Sequence, residues 1–539
     1  MSGKKFLLPA IGAAVLVAGG TAAYLYFKGP AKGGMAPLAI AKVVPDDAYL
    51  ATYFSSDLRA WAKLKEFGTP EAQQVFDKGL KEFEQQVLTK SNIDFEKDIR
   101  PWMGDAMMAV LPAEAGSETP NLLMVVTIRD KVSALNFAAK LASQSGGKGK
   151  ESDYKGNKIF GSQDNSTYST VLNDYLVIAP EQNAVQQAID TAKGEPSLAS
   201  KPGAEAILSK PVDVQNAIAH VYLLDYATAI QQIANSSPNA TPLPPATMQQ
   251  LKQVKSLVAG IGVEETGLRI KAFATVDPQA PKAEYKPTPG KVIAQFPADT
   301  LALVNGANIN YYWSQVVKQA ETNPDSQQAI DTMRQSAKSA DFDLDKDIFG
   351  WMDGEFGIGL VPSDRGILAQ TGFGGVMVID TSDRKTAEAT ISKLDTLAKS
   401  SSNNSIAIQE RDLQGKKITE WKTPYGAVLG HGWLDNDSIF VALGPLVDVV
   451  ANKPNPSLDS SDPFKGMTGV LPKNNLGYFY VDMDKTMTLV NRFATMTQTP
   501  VPPEYTAVLN SIRGLAVTST QPEPTTGQVD MLLALKKAK

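Results

Sequence analysis

Cysteine is absent from the 539 residues and histidine occurs only twice. The first absence removes disulfides, thiolate metal sites and cysteine nucleophiles together. It also suits an exported chain that avoids stray thiols in an oxidising compartment. The two histidines, His220 and His431, lie in different halves of the sequence. A histidine acid/base pair or a histidine-rich zinc site would need both in one place, so each reads as a strand or loop residue without a catalytic role. No GxSxG elbow or Walker loop occurs. "GFGGVM" from Gly372 and "GIGVEE" from Gly260 both leave the GxGxxG dinucleotide pattern after their second glycine. Carboxylates are plentiful enough for two to meet in space, as glycoside hydrolysis requires, but nothing singles out a pair. No catalytic, cofactor-binding or metal-ligating residue is therefore assigned, and the chain reads as a non-enzyme.

Positive charge is also scarce. The net charge is −5, and Lys4, Lys5, Lys28 and Lys32 contribute +4 with no acid before residue 33, leaving −9 on the remainder. An acidic body is a poor match for nucleic-acid phosphates and for an anionic membrane surface.

One long apolar run is present. "FLLPAIGAAVLVAGGTAAYLYF", residues 6–27, carries no charge, and about 20 apolar residues in helix span a bilayer core. Tyr24, Tyr26 and Phe27 suit an interfacial aromatic belt. The run reads as an uncleaved transmembrane signal anchor after a short tail, residues 1–5. A cleavable signal peptide is the rival reading, because small residues from Gly20 to Ala23 can form a cleavage site. Lysines flank both ends, so the charge rule barely orients the span. The short tail favours a body outside the cytoplasm, in a periplasm or thylakoid lumen. Ala10, Ala14, Ala18 and Ala22 recur at every fourth position, as a helix-packing ridge would, though alanine is common in such spans. Residues 28–34 read as a flexible linker.

The body says nearly the same thing twice. "DFEKDIRPWMGD" from Asp94 and "DLDKDIFGWMDG" from Asp343 share Asp, Lys, Asp, Ile, Trp and Met without a gap. Other landmarks keep the same order. "VVPDDAYLATY" (Val43) matches "QFPADTLALVN" (Gln295), and Trp61 matches Trp313. "TPEAQQVF" (Thr69) matches "NPDSQQAI" (Asn323), each an N-cap followed by proline. "YKGNKI" (Tyr154) matches "LQGKKI" (Leu413), "DYLVIAP" (Asp174) matches "DSIFVALGP" (Asp437), and "AHVYLLD" (Ala219) matches "LGYFYVD" (Leu476). The period is too long for a solenoid. It predicts two tandem homologous domains, residues 35–282 and 283–539, joined through the Pro-rich stretch Asp277 to Gly290.

Within the first copy, runs at 106–111, 122–128, 157–160, 175–178, 221–224 and 268–275 read as strands. Helical stripes occupy "EAQQVFDKGLKEFEQQVL" from Glu71, "DKVSALNFAAKLASQ" from Asp130 and "EQNAVQQAIDTAKG" from Glu181. Strands that follow one another without room for a crossover helix predict hairpins. The class is α+β: a mostly antiparallel sheet with helices packed against one face, built twice. Trp102 and Met103, or Trp351 and Met352, are expected to pin a tight turn onto each core.

Asp341, Asp343, Asp345 and Asp347 alternate, as do Asn92, Asp94, Glu96 and Asp98. Alternating oxygen ligands suit calcium, but counted from Asp343 the required glycine is Ile348 and the required glutamate is Gly354. Helix capping is the better account. Each copy also holds a helix, a Pro-rich loop and a second helix, "SSPNATPLPPATMQQL" after Asp225 and "TMTQTPVPPEY" after Asp482. Such an arm is a plain surface connection, a lid over an apolar pocket or a docking finger.

An N-terminal span, then "VPDDAYLATY", then "DFEKDIRPWMGDAMMAVLP", with the set repeated, resembles a membrane-anchored domain-of-unknown-function family found largely in cyanobacteria. The likeness covers nearly the whole chain after the anchor, and Asp-Ile-x-x-Trp-Met-Gly is its most specific element. The second copy departs from it, since Gly354 falls one place later than Gly104. The resemblance implies an envelope or thylakoid-membrane protein and supplies no catalytic residues. Two functions fit: a membrane-tethered scaffold or assembly factor that binds a protein partner, or a carrier or sensor of an apolar ligand, a lipid or pigment. An apolar cavity large enough for a chain or ring distinguishes them.

Overall fold

The computed structural model describes residues 37–75, 95–113, 120–134, 136–137, 150–162, 167–209, 212–235, 243–280, 286–321, 323–402, 405–498 and 501–538. The expected anchor, tail and linker, most of the helix from Glu71 and the loop of the first arm lie outside them. Among the described residues no helix is long and apolar enough to cross a membrane.

The chain divides into two compact units. The first holds the described residues 37–280 with Pro522–Gln528 and 536–538; the second holds 286–521 with Val529–Leu535. The C-terminal segments join the first unit through backbone bonds: Val276 N–H to the Thr525 carbonyl (2.8 Å) and Gly68 N–H to that of Lys536 (2.8 Å).

The first unit carries β1 (Leu50–Phe54), β2 (Met103–Leu111), β3 (Asn121–Ile128), β4 (Lys150–Tyr154), β5 (Asn157–Gly161), β6 (Tyr168–Leu172), β7 (Tyr175–Ala179), β8 (Ala217–Leu223), β9 (Val254–Glu264) and β10 (Gly267–Val276). They lie in the order β10-β9-β8-β1-β2-β3-β7-β6-β5-β4, with antiparallel registers throughout. The second unit carries β11 (Ala302–Ala307), β12 (Glu355–Pro362), β13 (Phe373–Asp380), β14 (Ala407–Leu413), β15 (Lys416–Thr423), β16 (Gly426–Trp433), β17 (Ser438–Leu443), β18 (Tyr478–Asp482), β19 (Ile512–Glu523) and β20 (Thr526–Leu535). Their order, β20-β19-β18-β11-β12-β13-β17-β16-β15-β14, repeats the first unit strand for strand. The α+β class with antiparallel sheets is thus observed.

The same local chemistry shapes both ladders. The β4–β5 hairpin turns at Lys155 (φ 51°) and Gly156 (φ 75°), and the β14–β15 hairpin at Gln414 (φ 55°) and Gly415 (φ 78°). Two left-handed residues in succession match the twist of a two-residue hairpin, and glycine takes the second place without steric cost. Asp153 accepts from Gly156 N–H at 3.1 Å and Asp412 from Gly415 N–H at 2.9 Å. The N-cap and proline pairs also act as expected. Thr69 Oγ1 accepts from Ala72 N–H at 3.3 Å, and Asn323 Oδ1 from Asp325 N–H at 3.0 Å.

Helices pack on both faces of each sheet, which corrects the one-face expectation. The physical reason is that inner strands such as β13, "FGGVMVID", are apolar at consecutive positions rather than alternating. In the second unit Val376, Val378, Phe440, Ala442 and Tyr480 face one core with the helix Leu446–Ala451. Ile379 and Ile439 face the other way, against Trp351 and Ala387 of the helix Arg384–Ser401.

The quoted Trp-Met segments form a five-residue π-helical turn in each unit, Phe95–Ile99 and Leu344–Ile348. Trp102 is 2% exposed and Trp351 3%. Their indole N–H groups donate to the carbonyls four residues back, Asp98 at 2.7 Å and Asp347 at 2.9 Å. A buried indole needs such a partner for its donor. The glycine offset resolves as a one-residue insertion at Asp353. Phe54 stands opposite Ala106, and Gly306 opposite Phe356, so Asp105 and Glu355 occupy the same place. Both hold backbone donors: Asp105 Oδ1 accepts from Ser56 N–H (3.0 Å), and Glu355 from Gly290 (2.6 Å) and Val292 (3.2 Å) N–H.

Candidate functional site

Where the second arm meets its sheet, an apolar groove opens. Leu301, Ala302 and Leu360 line its floor with Phe373 and Val481; the helix Met483–Thr497 supplies Leu489, Val490 and Phe493 above it. Its volume is about 440 Å³, within the range of small-molecule sites and about three times the ~150 Å³ that admits one benzene ring. Thr486 and Thr497 contribute the lining hydroxyl groups, and no lining side chain is ionisable. The groove is open, with Leu360 42% and Phe493 36% exposed.

The arm helix is set by its ends. Asp482 caps it, accepting from Lys485 N–H at 3.1 Å. The Lys485 ammonium pairs with the same carboxylate at 2.8 Å and donates to the Ala298 carbonyl at 3.0 Å. Gln498, at φ 53°, ends the helix in a left-handed cap. After residues 499–500, which are outside the described set, the chain brings Val501 back to the groove and starts the helix Pro503–Asn510. The helix Met483–Thr497 and Val501 of the Pro-rich arm thus line an apolar groove. Next to the groove, Arg492 donates to the Ala369 carbonyl at 2.6 Å. Phe493 meets Phe373 edge to face, with centroids 6.2 Å apart. Gly372 allows this approach, since a Cβ there would stand 2.8 Å from Arg492 Nη1 and 3.1 Å from Leu489 Cδ2.

Beyond the groove the same sheet face continues as an exposed apolar row. Val304 lies between Ile358 and Phe479 on neighbouring strands, and the three are 43%, 47% and 42% exposed. A single exposed apolar side chain is ordinary, whereas three in cross-strand contact form a patch.

The first unit fills the corresponding place. Its arm helix, Tyr226–Asn235, packs through Ala229 onto Tyr49, Val110 and Leu223, with Leu50, Val221, Tyr226 and Ile233 against them. Asp225 caps that helix, accepting from Thr228 N–H at 3.1 Å.

The residues weighed in the sequence fall elsewhere. Asp343 Oδ1 accepts from Asp345 and Lys346 N–H, both at 3.0 Å, as a helix cap. Asp345 accepts from the Trp313 indole (2.7 Å) and pairs with Arg334 (2.8 Å); that guanidinium and the indole hold its carboxyl below the usual range against the opposing effect of burial. Asp347 pairs with Lys393 at 2.9 Å. Among the described residues no cluster of His, Asp and Glu is placed to hold a metal. His431 bonds Asp395 Oδ1 at 2.8 Å, an oxygen that also accepts from the Trp421 indole at 2.6 Å. His220 is buried on β8, its Nε2 3.1 Å from the Val212 carbonyl. Burial pushes its pKa below the ordinary value. The two histidines belong to different units.

Sequence reasoning found the second arm, and with it Thr497 and Val501, but singled out none of the other lining residues. The legible signal was the pair of apolar positions Leu489 and Phe493, four apart on a helix.

The family described as "Protein of unknown function (DUF3352)" matches residues 10–535. The chain belongs to that family. No curated protein matches it. Solved structures of TP0453 are similar at a distance. Crystal form I is 9% identical, covering 46% of this chain and 81% of that one at a TM-score of 0.27. Crystal form III is 10% identical, covering 47% and 84% at 0.27. A likeness of that size carries neither fold nor function across.

Proposed function

We propose that this is a non-enzymatic, membrane-tethered binding protein of a periplasm or thylakoid lumen, built by duplication of one domain, whose second unit carries an apolar ligand of the lipid or pigment class. The groove of about 440 Å³ beneath Leu489, Val490 and Phe493 carries the reading. An apolar groove of that size favours a carrier, and its position beside a Pro-rich arm suits a covering element. Residues 6–27 provide the tether. The matched strand orders and hairpin turns, with the collinear sequence landmarks, support duplication.

A scaffold or assembly factor is the second reading, favoured by the exposed row of Val304, Ile358 and Phe479. Native mass spectrometry on the full chain, ejected from its own membranes, tests the first. The expected spectrum has an excess mass that denaturation releases and that Val490→Asp abolishes. A bare mass for the natural chain counts against a carrier and leaves the protein partner to be sought by cross-linking.

A further inference from the structure

An apolar groove by itself does not say which end of a ligand is polar. The charges along the arm helix do. Its basic and acidic side chains are Asp484, Lys485 and Arg492, with the cap Asp482 before them. Lys485 is held by Asp482 at 2.8 Å, and Asp484 faces Arg513 at 4.0 Å. Among the described residues Arg492 has a single partner, the neutral carbonyl of Ala369, and no carboxylate reaches it. A guanidinium offers five N–H donors in a planar fork, so most of its bonding capacity is left for something outside the chain. Leu489 is one turn before it and Phe493 follows it, and both line the groove. Across from it, Gly372 adjoins the lining residue Phe373.

We infer that the groove takes a single-chain carboxylate amphiphile, a fatty-acid-class ligand whose chain lies between Leu360 and Phe493 and whose carboxylate pairs with Arg492. This rests on the apolar-carrier reading above. Three observations choose the class. The lining is aliphatic and aromatic with two hydroxyl groups, which excludes a ligand polar along its length. The volume of about 440 Å³ suits one chain better than the two of a phospholipid. The unmatched charge is positive, and the guanidinium fork fits a carboxylate through two parallel hydrogen bonds.

The test photolabels the full chain in its own membranes with a diazirine-bearing palmitic acid and, separately, with the matching palmityl alcohol. Adducts are located by peptide mass spectrometry. The acid is expected to label Met483–Thr497 or the strand from Phe373 saturably, with unlabelled palmitate competing. Arg492→Gln is expected to raise the half-saturating concentration of the acid about tenfold, the size of one charge-assisted hydrogen bond, and to leave the alcohol unchanged. Arg492→Lys should recover part of the loss. Equal labelling by acid and alcohol, both indifferent to Arg492→Gln, overturns the carboxylate inference and leaves an apolar carrier standing. Absence of label from these segments with both probes, in a chain whose circular dichroism melt is normal, overturns both. Arg492 is exposed on its helix, so the substitutions leave the core untouched.

Discussion

Tyr49 and Leu301 hold the same place in their ladders. Tyr49 donates its backbone N–H to the Val110 carbonyl at 3.1 Å, and Leu301 donates to that of Leu360 at 2.8 Å. Around Tyr49 the arm helix closes onto Val110 and Leu223, each 7% exposed. Around Leu301 the arm helix stands over a groove, and Leu360 is 42% exposed. The next positions diverge in the same sense: Thr52 is fully buried, whereas Val304 is 43% exposed. One backbone plan therefore supports a packed cluster in one unit and an open apolar site in the other. The place is held by a tyrosine in the packed unit and by a smaller leucine in the open one.

The comparison sharpens first at the feature the units share. Replacing Trp102 or Trp351 with alanine should each cost about 3–5 kcal/mol, the loss expected for a large buried aromatic. Because unfolding of a chain with two units need not be a single transition, hydrogen exchange read on peptides from each unit is the appropriate measurement. A cost in only one unit would break the equivalence of the two turns.

A smaller effect is expected where the units differ. Tyr49→Leu should open space beneath the first arm and cost about 2 kcal/mol, seen as faster exchange across Tyr226–Asn235. The reverse exchange, Leu301→Tyr, should cost about 1–3 kcal/mol while lowering palmitate photolabelling of the second arm about tenfold. Unchanged labelling would place the ligand outside the groove.

The smallest effect is a pH dependence confined to the first unit. His220 stands opposite Tyr53 in the ladder, stacked on Tyr222 with centroids 6.5 Å apart, and burial lowers its pKa. The unfolded chain binds a proton near pH 6.5, whereas the folded ring resists it. Its contribution is therefore fully present above the unfolded value and is lost as pH falls toward the folded one. The slope is at most about 1.4 kcal/mol per pH unit. His220→Gln, which keeps a donor for the Val212 carbonyl, should flatten that slope in first-unit peptides and leave the second unit unaffected.

Much of the fold was legible because it is local. The turn residues Lys155, Gly156, Gln414 and Gly415 set their hairpins through φ, and Asn323 and Thr69 set helix starts through side-chain hydrogen bonds to the first turn. Register was less legible. The ladder sets Ala51 opposite Tyr222 and Leu303 opposite Tyr480, so Tyr222 corresponds to Tyr480, whereas the sequence match placed it with Phe479. A one-residue slip turns a side chain to the other face: Tyr480 is fully buried and Phe479 is 42% exposed. The π-helical turns were invisible as well, since a single wide turn leaves no periodicity to read.

The sequence alone determined the class of the sheets, their hairpins and the matched Trp-Met turns, because those depend on residues near one another in the chain. The tertiary structure decided that helices cover both sheet faces and that Leu301, Leu360, Phe373 and Leu489 enclose one groove. Those residues come from four elements separated by as many as 188 positions, from Leu301 to Leu489, and no pattern within any one element records the space left between them.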